Sequence, residues 1–78
     1  MKISRHARNN MRLYKIREAD ILSAVESPGV SVTEENRMVA IKKFGDKFMG
    51  YPIKVVYENM EKEIFILTDY PLKRKMWR

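Results

Sequence analysis

Along the first seventeen residues, apolar side chains return every three or four positions: Ile3, Ala7, Met11 and Tyr14 form one stripe of a helix. Ser4 precedes the run, and its hydroxyl suits the free amides of an opening turn. A helix capped by Ser4 and turning near Tyr14-Lys15-Ile16 is therefore predicted. At about 100° per residue, Arg5, Arg8 and Arg12 fall together opposite the stripe, while His6, Asn10 and Leu13 run along its border. A second helix follows. Glu18 and Asp20 suit the positive end of its dipole, Ile21, Leu22 and Val25 supply its buried side, and Ser27-Pro28-Gly29 stops it.

Past Gly29 the period drops to two. Val30-Ser31-Val32-Thr33 alternates as a short strand, Glu34-Glu35-Asn36 reads as a turn, and Arg37 to Phe44 is a β-rich run punctuated by Gly45-Asp46. Lys47 to Pro52 is an aromatic loop, Ile53 to Tyr57 a strand, Asn59-Met60-Glu61-Lys62 a turn, and Glu63 to Thr68 the last strand. Connections this short leave no room for helical crossovers, so these strands must be antiparallel neighbours. The expected fold is α+β: two N-terminal helices packed on a four-stranded antiparallel β-meander, one domain over residues 1–78.

The chain has no cysteine and one histidine, which leaves no disulfide or thiolate site and argues against zinc; no metal and no cofactor are expected. A folded chain near this size buries only about 60% of its unfolded surface, so the core must be thin. The longest apolar runs, Met38 to Ile41 and Ile64 to Leu67, fall far short of the ~20 residues that span a bilayer. Charged residues stand where a signal peptide would be apolar, so a cytoplasmic protein without a membrane partner is expected.

The net charge is +6, and it is laid out in blocks. Residues 1–17 hold six bases and no acid, whereas 18–36 hold five acids and no base. Further bases follow at Arg37, Lys42, Lys43, Lys47 and Lys54, and again in the tail at Lys73, Arg74, Lys75 and Arg78. If the basic blocks meet in space they form a surface suited to phosphates or to an acidic protein. The alternative is an ordinary solvated mixed-charge surface, since a third of the residues being charged is only moderately above the usual quarter or so.

The succession Ser4, His6, Ala7, Met11 and Ile16 continues through Ala19-Asp20-Ile21, Pro28, Val55-Val56-Tyr57 and Leu67-Thr68-Asp69-Tyr70-Pro71. It resembles a family of small uncharacterised domains allied with the RelE and BrnT type toxins of toxin–antitoxin systems, and the resemblance covers nearly the whole chain. It implies a RelE-like antiparallel sheet against N-terminal helices, with an RNA-cleaving activity that uses no metal and is silenced by an antitoxin. Arg17 departs from the pattern, because relatives often place a capping serine or threonine there.

Cleavage of RNA without a metal uses the ribose 2′-hydroxyl as nucleophile, and needs a base, cations around the phosphorane and an acid for the leaving oxygen. His6 is the candidate base or acid, histidine being the residue type that exchanges a proton near neutral pH; a border histidine bonded to the backbone is the alternative. Arg12, and after it Arg8, offer planar guanidinium donors to phosphoryl oxygens, unless both are merely solvated. Tyr57 and Tyr70 bring hydroxyls that could donate a proton and rings that could stack on a base, although strand-end aromatics also serve sheet packing. Lys73 completes the candidate catalytic set. Arg37, Lys43 and Lys54 are assigned to RNA binding along the sheet's open surface, and Arg74 to a basic tail that ends with Trp77 and Arg78. Phe48, Met49 and Tyr51 are unusually apolar for a surface connection; they cover the core edge or mark a partner site.

The expected function is a toxin-type ribonuclease acting on cytoplasmic RNA, with an acidic antitoxin as protein partner and homodimerisation left open. A non-catalytic basic nucleic-acid-binding module, or a protein-interaction domain, stands behind it.

Overall fold

In a computed structural model of the chain, which describes residues 1–73, two helices lie against one face of a five-stranded sheet. The elements are β1 (Lys2–Ile3), α1 (Arg5–Tyr14), α2 (Glu18–Glu26), β2 (Val30–Glu34), β3 (Arg37–Lys42), a short turn of helix at Lys47–Gly50, β4 (Ile53–Met60) and β5 (Glu63–Pro71). Strand order is β1-β5-β4-β3-β2, with β2 to β5 forming the antiparallel meander. The α+β class holds, but the sheet is mixed and has five strands, not four. β1 pairs parallel with β5 through Lys2↔Phe65 and Ile3↔Ile66. Two residues carry no readable period, and the connection from Ile3 to Glu63 is long enough for the parallel pairing that the short hairpins exclude.

Ser4 caps α1 as the sequence suggests, its hydroxyl accepting from the Ala7 N–H at 3.0 Å. The helix ends at Lys15, whose left-handed backbone (φ 59°) turns the chain while its N–H bonds the Met11 carbonyl. Arg17 has no side-chain acceptor with which to cap α2. Asp20, at the third helical position, reaches back instead and accepts the Arg17 N–H at 3.0 Å. The same buried carboxylate takes the Lys47 ammonium at 3.3 Å, which ties the Lys47–Gly50 turn to α2.

Alternation along β4 turns Ile53, Val55 and Tyr57 inward, where with Ala40 and Ile66 they meet Ala7, Met11, Ile16, Ile21 and Ala24 from the helices. β5 carries a bulge: Tyr57 pairs with Ile66 but Val56 with Thr68, so Leu67 is an extra residue. Ile66 and Asp69, three positions apart, consequently both lie fully buried. Lys42 finds a partner on the helix side, donating to Ser23 Oγ at 2.9 Å, and Lys43 beside it is exposed. No helix among the described residues is long and apolar enough to cross a membrane.

Candidate nucleic-acid interface

The strongest concentration of free charge is the outer side of α1. Arg5, His6, Arg8, Asn9, Arg12 and the capping Lys15 are all exposed. Arg8 meets Glu18 at 3.4 Å, an exposed pair of the kind worth about 1 kcal/mol or less. Among the described residues no carboxylate pairs with Arg5, Arg12 or Lys15. The amphipathic spacing that buries Ala7 and Met11 thus turns the intervening cations outward as a row.

The border of that helix is fastened to β5. Ser4 Oγ donates to the Leu67 carbonyl at 2.8 Å and Asn10 Nδ2 to the Asp69 carbonyl at 2.9 Å. His6 lies between these two anchors in sequence and is exposed. Arg12 comes six residues after it, which on a helix means about 9 Å along the axis and about 120° around it. The two favoured residues therefore share the helix without converging on one phosphorus atom.

The other candidates divide. Tyr57 is only 6% exposed and belongs to the core beneath the helices, so its hydroxyl is not offered to a phosphodiester. Its fate was legible: Ile53 and Val55 at the preceding odd positions already turn that side of β4 inward. Lys54 and Tyr70 pair across β4 and β5 on the opposite face, the Lys54 ammonium 5.8 Å from the ring centre. Arg37 lies against Glu58 at 4.0 Å on that same face. Arg74 lies outside the described residues.

That open face is the surface on which the sequence places the RNA path. Register places Val30, Val32, Val39, Ile41, Val56 and Phe65 on it, so it is chiefly apolar, with Arg37 and Lys54 each beside a partner and Lys2 exposed at its β1 edge. A depression beside the β2–β3 turn is lined by Glu34, Glu35, Asn36, Arg37 and Glu58, a set with net negative charge that would repel phosphate.

Lys73 joins the helix side. Leu72 is buried and donates its N–H to the Pro52 carbonyl at 2.8 Å, which brings Lys73 to the C-terminal end of α1. Its ammonium sits 6.0 Å from the ring centre of Tyr14 and 5.7 Å from that of Tyr51. Tyr14 reads in the sequence only as part of the apolar stripe, and Tyr51 only as part of a loop that covers the core edge or marks a partner site.

Asp69 was also missed. Both carboxyl oxygens are buried and lack a hydrogen-bond partner among the described residues, and burial pushes the group up from 3.8 to about 7. Strict alternation from Ile66 would turn Asp69 to the open face; the bulge at Leu67 reverses this.

No protein-family model, curated protein or solved structure matches the chain.

Proposed function

We propose that the chain is a small RNA-binding domain whose contact surface is the outer side of α1. One observation carries this: Arg5, Arg12 and Lys15 stand exposed on one short element with no carboxylate partner among the described residues. Such a row neutralises successive phosphates and releases their counterions, a sequence-independent source of affinity. The same row offers an acidic protein a complementary surface, so an antitoxin-like partner would compete with RNA for it. The test is a titration of the purified chain into labelled single-stranded RNA at several salt concentrations. Binding that weakens steeply with salt supports the reading; absence of binding at low salt, or binding indifferent to salt, refutes it.

A second reading, the toxin-type ribonuclease with a RelE-like arrangement implied by the family resemblance, is favoured by the exposure of His6 beside this surface. In that reaction the imidazole takes the 2′-hydroxyl proton, the ribose oxygen attacks phosphorus, and the 5′-oxygen departs with a proton from solvent water to leave a 2′,3′-cyclic phosphate. Arg5, next to His6 on the helix, would steady the phosphorane, since Arg8 and Arg12 sit about 160° and 120° around the helix from His6. Incubation with RNA followed by end-group analysis decides it: cyclic phosphate ends that disappear in His6→Ala support cleavage, and intact RNA leaves binding alone.

A further inference from the structure

We propose that Tyr14 and Tyr51, which flank the Lys73 ammonium, form a stacking subsite for the bases of single-stranded RNA. The inference rests on the RNA-binding reading of α1 and assigns to it a substrate class.

Three segments distant in sequence converge here: the last residue of α1, the residue after the Lys47–Gly50 turn, and the residue after the buried Leu72. Both rings are accessible in part, Tyr14 half-buried and Tyr51 37% exposed. Neither hydroxyl has a hydrogen-bond partner among the described residues. A cation over two partly open rings is the combination that single-strand binders use, with the rings taking base faces and the cation the adjoining phosphate.

The backbone that carries Tyr51 adds a second, independent observation. Phe48 and Met49 both adopt left-handed conformations (φ 56° and 57°), followed by Gly50 at φ 81°. Side-chain-bearing residues avoid this region, so consecutive examples persist only where the surroundings enforce them. Here the Phe44 ring meets Phe48 edge-on at 5.7 Å, and Lys47 is held by Asp20. The turn packs Phe48 against the core, leaves Met49 almost fully exposed, and sets Tyr51 next to Lys73, which also lies by Tyr14.

Position along the helix fits a strand of RNA. His6 and Tyr14 lie on one ridge, eight residues and about 12 Å apart, a span of a few nucleotides. Lys15 follows the tyrosine directly as the helix cap, while Arg12 stands on the opposite side of the same last turn. A duplex keeps its bases stacked on one another and cannot lend their faces to the rings, so the subsite distinguishes single from double strands.

The test uses the full chain and two labelled probes, an oligouridine of about ten nucleotides and an RNA duplex of equal length. Tyr51→Leu should weaken oligouridine binding roughly tenfold while leaving duplex affinity and its salt dependence unchanged, and Tyr51→Phe should bind as the parent does. Tyr14→Leu should behave likewise. Because Tyr51 lies outside the core cluster, its variants decide the matter even if Tyr14→Leu fails to fold. Equal losses on both probes, or none on either, overturn the stacking subsite while salt-sensitive binding through α1 survives. A parent chain that binds neither probe overturns both proposals.

Discussion

Asp69 shows how much one residue can set the conditions under which this small core is stable. Its carboxyl is sealed and has no partner among the described residues, so the fold favours the protonated form, with a native value of about 7 against 3.8 for the free group. Below about pH 4 native and unfolded chains both hold the proton and the contribution of this group to stability is at its fullest. Between about 4 and 7 the native chain binds more protons than the unfolded one, so stability falls as pH rises, and it levels off above 7. The difference between those limits is on the order of 4 kcal/mol. We expect thermal unfolding followed from pH 5 to pH 8 to show a falling midpoint for the parent. Asp69→Asn, which keeps the shape but cannot ionise, should flatten this slope and be the more stable form at pH 8. A parent midpoint that stays level or rises over this range would contradict the unpaired burial.

Among the elements, the helices were written most openly in the sequence, because each carries its own local signals. Ser4 sits one residue before α1 and three before Ala7 of its apolar stripe, and Ser27-Pro28-Gly29 follows the last turn of α2. What escaped the sequence depends on contacts made elsewhere. β1 is two residues long and exists because β5 returns beside it. The bulge at Leu67 leaves no mark in a run of Ile64, Phe65, Ile66 and Leu67, every one of which fits a strand. The inward side of Tyr57 is readable from Ile53 and Val55, whereas the meeting of Tyr14, Tyr51 and Lys73 needs three segments assembled at once. The Lys47–Gly50 turn belongs with the hidden features, because Phe and Met have no preference for a left-handed backbone. Its strain is measurable. Met49 is 85% exposed and packs little, so Met49→Gly should remove the left-handed penalty at small loss and stabilise the chain by about 0.5–1 kcal/mol after the extra unfolded-state entropy of glycine. A raised urea midpoint is the expected sign, and a lowered one would show that the methionine side chain holds the turn.

At the scale of the whole molecule, the sheet separates two unlike surfaces, and that division is what the net charge of +6 conceals. Among the described residues the helix side presents Arg5, Arg12 and Lys15 unpaired, with Lys73 at its far end; the open sheet face is chiefly apolar, with Arg37 beside Glu58 and Lys54 over Tyr70. If binding were a matter of overall charge, removing cations from either side would weaken it alike. If the α1 surface makes the contact, only that side should count. For single strands the logarithm of affinity falls with the logarithm of salt concentration by about 0.7 for each phosphate neutralised. The triple variant R5Q/R12Q/K15Q should therefore reduce the steepness of this line by about 2, with an unchanged circular dichroism spectrum because all three side chains are exposed. The double variant R37Q/K54Q, on the opposite face, should leave the line where it was. Equal flattening by both variants would show that RNA senses only the total charge, and the assignment of a binding side to α1 would fall.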